Sequence, residues 1–172
     1  MNPRKLFVIA GYPYSGKHIT LQQLFRRKHF FPLKAPISLD KPEQGQFVVA
    51  GSARRPQNAA YYRKRLYEIL ERHRQTDAAF VMTMSLVFDG GVHDCTEMLR
   101  MLHAAWFEPH YFILRSSWYD KTLVKEEDIE QLASYTPGAF LHDMDLLVTR
   151  SPLRMQQRVE AIRQVMERLV SR

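Results

Sequence analysis

Four stretches of this chain are apolar without alternation: "KLFVIA" (5–10), "AAFVMTMSLVF" (78–88), "HYFILR" (110–115) and "DLLVTR" (145–150). A strand with one wet face alternates apolar and polar residues, so runs of this kind predict strands covered on both sides. "GQFVVAG" (45–51) reads as a shorter strand bounded by glycines. Helical patterns lie between them. "NAAYYRKRLYEILERHR" (58–74) brings Tyr62, Leu66, Ile69 and Leu70 to one face. Alternating strand and helix predicts a three-layer α/β/α fold around a mostly parallel sheet, with right-handed crossovers. At 172 residues, one domain spanning 1–172 is expected.

The remaining helices follow from caps and periodicity. A helix is predicted from Lys17 to about Lys28, with Ile19, Leu24 and Phe25 inward. Asp94 or Thr96 would cap a helix carrying Met98, Leu99, Leu102 and Trp106. "KEEDIEQLASY" (125–135) is a short helix. Ser151 followed by Pro152 opens the last one, whose Met155, Val159, Ile162, Met166 and Leu169 recur every three or four residues.

Between the first strand and the first helix stands "GYPYSGKH" (11–18). Such a turn can aim main-chain N–H groups inward, and the helix start adds unpaired N–H groups and the positive end of its dipole. Gly11 permits the sharp turn and Gly16 a close approach of the backbone. Lys17 adds a cation on a flexible stem. The expected ligand of this stretch is a phosphate group. Tyr12, Pro13, Tyr14 and Ser15 form the loop that would surround it, and His18 and Ile19 follow Lys17 in the first turn of the helix.

The stretch resembles the first motif of the P-loop NTPase superfamily, which it matches through Lys17. The resemblance implies ATP as cofactor, with Lys17 on its β- and γ-phosphates. In that superfamily a serine or threonine hydroxyl follows the lysine and holds Mg²⁺. Here His18 stands in its place, and magnesium prefers oxygen ligands. Asp89, after the third strand, is the expected ligand of metal-bound water, with Asp40 as an alternative carboxylate. The order of elements is similar to that of small nucleotide and metabolite kinases. By that likeness Arg54, Arg55 or Arg115 would meet the acceptor or the transferred group, and Thr149, Arg150 and Ser151 would lie against the base. The lid of such kinases carries arginines, whereas residues 116–137 carry none. The implied activity is ATP-dependent phosphoryl transfer to a small-molecule acceptor. The alternative is a degenerate nucleotide-binding module that works through protein interaction. The switch and base-recognition motifs of regulatory GTPases are missing from the sequence.

Charge adds a further reading. Residues 1–86 hold 15 Lys/Arg against 5 Asp/Glu, while 87–172 hold 10 against 13. Basic clusters at 26–29, 54–55, 63–65 and 72–74, with Tyr61, Tyr62 and Tyr67 among them, suit a nucleic-acid backbone or an ordinary solvated face. Arg154 or Arg158 would reach a bound phosphate if the last helix starts near it. The histidines show no metal-like spacing. The single cysteine, Cys95, excludes an intrachain disulfide and suits a reducing cytoplasm. No run is long enough to cross a bilayer.

Overall fold

The computed structural model describes residues 3–30, 35–39, 45–51, 58–144 and 148–171. Strands and helices alternate through it: β1 (Arg4–Gly11), α1 (Lys17–Phe25), β2 (Phe47–Gly51), α2 (Ala59–Arg72), β3 (Ala79–Ser85), α3 (Thr96–Ala104), β4 (Phe107–Ile113), α4 (Glu126–Tyr135), β5 (Phe140–Asp143) and α5 (Pro152–Val170). The sheet order is β2-β3-β1-β4-β5, and every neighbouring pair is parallel. β1 is central. It pairs with β3 from Leu6–Phe80 to Gly11–Ser85, and with β4 from Arg4–Phe107 to Ala10–Ile113.

The two-residue period of β1 divides its side chains between two cores. Leu6, Val8 and Ala10 pack with Leu66 of α2, Leu99 and Leu102 of α3 and Leu132 of α4. Phe7 and Ile9 face the other way, onto Leu21 and Leu24 of α1 and Met155, Ile162 and Met166 of α5. Helices on both faces explain why β1 and β3 show no polar alternation. They also build the three-layer α/β/α architecture.

This arrangement locates the turn after β1. The chain leaves β1 toward the α1–α5 face, whereas it leaves β3 and β4 toward the α3–α4 face. In open α/β sheets such a reversal opens a crevice at the carboxyl ends of the strands. Gly11–Gly16 lies at that reversal.

Ser151 caps α5 as expected, accepting the Arg154 N–H at 3.4 Å with Pro152 in the first turn. Asn58 caps α2, accepting the Tyr61 N–H at 3.1 Å. At α3 the cap position is Cys95, with no side-chain cap bond, and Asp94 just before it accepts the Thr96 N–H at 2.8 Å. Several boundaries differ from it. α1 stops at Phe25, because Arg26 turns left-handed (φ 53°) and returns its N–H to the Gln22 and Gln23 carbonyls. β3 ends at Ser85 and not at 88; the Val87 carbonyl turns to the Cys95 N–H. β4 runs Phe107–Ile113 and not 110–115. Trp106 lies beyond α3 and is exposed.

Among the described residues the last strand is Phe140–Asp143. It pairs His110–Phe140 through Ile113–Asp143 at the sheet's edge, with Phe140 and Leu141 partly in solvent. β5 is exposed along most of its length, so it lacks the apolar run that marks a buried strand. Residues 145–147 lie outside the described residues; Val148 is buried and Thr149–Arg150 form the turn into α5. Among the described residues, no helix is long and apolar enough to cross a membrane.

Candidate functional site

The turn after β1 is tight. Ser15 N–H donates to the Tyr12 carbonyl at 3.2 Å, and Tyr14 (φ 62°) and Gly16 (φ 98°) both take left-handed backbone. Gly16 is required twice over: its φ favours glycine, and a Cβ there would stand 2.9 Å from the Trp118 Cβ. Ser15 Oγ lies folded against the base of the turn, where a Cβ on Gly11 would meet it at 2.6 Å. That hydroxyl is buried and has no hydrogen-bond partner among the described residues.

α1 begins at the end of this turn. No side chain caps its first turn, and no acidic residue lies there. Its first N–H groups therefore have no carbonyl behind them in the helix, and the positive end of the helix dipole is uncompensated. Lys17 opens the helix and reaches back across the loop, its Nζ donating to the Tyr12 carbonyl at 2.7 Å. Lys17 is only 6% exposed, and among the described residues no carboxylate pairs with its ammonium. Burial pushes its pKa down to about 8. A buried cation, a bare helix start and an orphaned hydroxyl thus lie within one short loop.

Two neighbouring elements hold the loop. A small hairpin pairs Ser116 with Leu123, and from it the Trp118 N–H donates to the Ser15 carbonyl at 3.0 Å. The turn before α5 fastens this hairpin: Arg150 N–H donates to the Trp118 carbonyl at 2.9 Å, and the Thr149 hydroxyl lies 3.0 Å from the Ser117 carbonyl and 2.7 Å from that of Asp120. Arg158, buried on α5, donates to the Ser116 carbonyl at 2.7 Å and to its hydroxyl at 3.0 Å. Its Nε and Nη1 find no partner among the described residues, and burial lowers its pKa to about 10. On the other side, the Tyr12 hydroxyl donates to Asp128 and accepts the Lys125 N–H at 2.9 Å, tying the loop to the start of α4.

A cavity of about 40 Å³ opens beside the loop, lined by Tyr12, Ser15, Arg115, Ser117, Asp120 and Thr122 among others. It has room for a water or one small group, not for a nucleoside. Arg115 lines it, but its guanidinium is engaged by Glu126 and, at 3.0 Å, by Asp143. The hydrogen bond to Glu126 raises its pKa; burial opposes it, and the charges of Asp143 and Glu126 add to the rise. Arg115 therefore enters the cavity already neutralised.

The other expected residues fare unequally. Gly11, Tyr12, Pro13, Tyr14, Ser15, Gly16 and Lys17 are together. His18 meets the Phe30 ring edge-on at 6.2 Å between centroids, and Ile19 packs against the α1–α5 core. Thr20, the nearest alternative hydroxyl, donates back to the Gly16 carbonyl at 2.8 Å inside the helix. Asp89 lies in the exposed loop four residues past β3, where its carboxylate accepts the Gly91 N–H at 2.7 Å. Arg150 is exposed and contributes its main-chain N–H rather than its guanidinium. Asp40, Arg54 and Arg55 lie outside the described residues.

Among the described residues, no group of three His, Cys, Asp or Glu side chains could hold a metal. The described residues at the loop do not fit Mg²⁺, which needs oxygen donors where His18 and the committed Thr20 stand.

Sequence reasoning did not foresee the Tyr12–Asp128 and Arg158–Ser116 contacts. Arg158 had one visible signal, a charged residue between Met155 and Ile162 on the inward stripe of α5. Nor did it foresee His110 Nδ1 lying 3.0 Å from His142 Nε2, a pair created by the β4–β5 register. Cys95 is buried, and burial raises its thiol to about 12, so it is protonated and inert.

No family model, no curated protein and no solved structure matches the chain.

Proposed function

We propose that this chain binds a nucleotide by its phosphate groups at the loop Gly11–Lys17. The observation that carries the reading is Lys17: a buried ammonium with no carboxylate partner among the described residues, set across a bare helix start. Burying a cation without an anion is unfavourable, and a bound phosphate would supply the missing charge. Lys17 would exchange its bond to the Tyr12 carbonyl for one to a β- or γ-oxygen. The first N–H groups of α1 would take other oxygens, and the Ser15 hydroxyl has its donor to spare.

Binding without turnover is the reading the surroundings favour. Arg115 is held by two carboxylates, Asp89 is committed to a turn, and neither His18 nor the helix-bonded Thr20 offers Mg²⁺ the hydroxyl expected after the lysine. Little is left to stabilise a transferring phosphoryl group. Such a site would serve a module whose nucleotide occupancy governs interaction with another protein. Phosphoryl transfer to a small acceptor is the second reading, favoured by the cavity beside the loop.

Calorimetric titration with ATP, ADP and pyrophosphate, with and without Mg²⁺, tests both. Binding that needs no Mg²⁺ and weakens by about 10- to 100-fold in Lys17→Ala is expected, since a charge-assisted hydrogen bond is worth about 1.5–3 kcal/mol. Equal binding by Lys17→Ala, or none by the native chain, would discard the site. Mg²⁺-dependent formation of ADP that rises with one small hydroxyl-bearing compound, with that compound phosphorylated and no free phosphate released, would favour transfer.

A further inference from the structure

We infer that the outward face of α2 is a binding surface for single-stranded nucleic acid, separate from the phosphate loop. The inward face of α2 is settled. Leu66 is fully buried, and the Tyr62 hydroxyl donates to the Thr83 carbonyl at 2.7 Å, so Tyr62 belongs to the core. The other two tyrosines of the helix do not. Tyr61 is 61% and Tyr67 is 56% exposed. Neither ring packs in the apolar cores or makes a ring contact among the described residues.

Their positions relate them. Tyr61, Lys64 and Tyr67 stand three residues apart, so they form one oblique ridge across the solvent face of the helix. The two rings lie about 9 Å apart along the axis, with an exposed ammonium between them. Arg63 follows Tyr61 by two residues and precedes Tyr67 by one turn, and Arg72 and Arg74 continue the positive charge to the end of the helix and beyond. Glu68 and Glu71 are the acids of this stretch, and Glu71 lies 3.8 Å from Arg74. Cations therefore outnumber acids, and exposed aromatic faces alternate with them.

This composition suits unpaired bases. A ring in solvent can stack on any base whose face is free, while neighbouring cations follow the phosphates. A duplex hides its base faces, which makes single strands the preferred form. The surface requires no sequence preference, and its affinity should depend strongly on salt.

Fluorescence anisotropy with a labelled 20-residue oligo-dT, and with the same strand annealed to its complement, tests the inference over a salt series. Binding of the single strand should exceed that of the duplex and fall steeply with salt. Tyr61→Ala and Tyr67→Ala should each weaken it by about fivefold or more, a base–aromatic stack being worth about 1–3 kcal/mol. Lys64→Ala should make the log–log salt slope shallower by about 0.7. Both tyrosines are exposed, so melting curves should show native stability in the variants. No binding at low salt, equal binding of duplex, or tyrosine variants that bind like the native chain would each overturn it. Lys17→Ala should bind the strand unchanged, which separates this surface from the nucleotide loop; loss of strand binding in Lys17→Ala would assign the strand to the loop instead.

Discussion

Lys17 Nζ and the Tyr12 carbonyl lie 2.7 Å apart, and this bond closes the loop Gly11–Lys17 on itself. The same lysine is buried and has a pKa near 8, because burial disfavours its charge. A bound polyphosphate would reverse that preference and hold the ammonium protonated. Nucleotide affinity should therefore decline as pH rises through about 8, and binding at pH 8.5 should take up a proton. Titration in two buffers of different ionisation enthalpy measures that uptake; in Lys17→Met it should vanish.

The same burial makes a stability prediction with a definite sign. From about pH 8 to 10.5 the unfolded lysine keeps a proton that the folded one has lost, so stability should rise with pH across that window. Below it the folded state carries the full penalty of a buried charge. Lys17→Met should therefore leave the unliganded protein as stable as the native chain or more so at pH 7, by no more than about 3 kcal/mol. Denaturant unfolding at pH 7 and pH 10 distinguishes this from a lysine that supports the fold.

Gly16→Ala should damage both fold and site. The left-handed backbone costs an L-residue about 1–2 kcal/mol, and the new methyl would stand 2.9 Å from the Trp118 Cβ. Trp118→Gly loses packing on the α1–α5 core by itself, but a double-mutant cycle of the two changes should show a favourable coupling equal to the relieved steric clash. A cycle in which the two losses simply add would show that the contact with Trp118 is unimportant.

Arg158 connects α5 to the hairpin over the loop. Arg158→Met removes both bonds to Ser116, whose hydroxyl also accepts the Val148 N–H at 3.1 Å. The change also removes a buried, incompletely partnered cation, so global stability should move little. The local effect should be clear: amide exchange at Trp118 and Val148 should quicken relative to the β1 amides. Unchanged protection at both would mean that the hairpin holds its place without Arg158.

His110 and His142 predict the response to acid. Glu108 accepts from His110 Nε2 at 2.8 Å, which leaves His110 Nδ1 to accept from His142 Nε2–H. Burial lowers both histidines; Glu108 opposes the shift at His110, while His110 and Arg168 add to it at His142. Unfolded histidines take up protons near pH 6.5, where the folded pair still resists them. Stability should consequently fall as pH drops through and below 6.5. His142→Leu should flatten that part of the denaturant-midpoint profile; a slope equal to that of the native chain would remove the pair from the acid response.

How much of this could be read beforehand depended on the range of the interaction. The helix starts at Asn58 and Ser151, the lysine after a glycine turn and the double-faced burial of β1 are local properties, because a cap, a turn and a period each involve a few consecutive residues. These determined the three-layer fold and marked residues 11–17. What the chain's neighbours do to those residues was not local. That Arg115 is neutralised by Asp143 and Glu126 depends on β5 lying beside β4; that Ser15 and Gly16 sit beneath Trp118 depends on a hairpin a hundred residues away. β5 itself escaped the sequence because its side chains are mostly exposed and leave no apolar run, unlike the buried edge strand β2. Sequence alone therefore determined where a phosphate would be expected, since short-range backbone geometry makes the cradle. Only the tertiary structure decided which charges around it are already spent on each other, because ion pairs form through space between elements whose order in the chain says nothing of their contact.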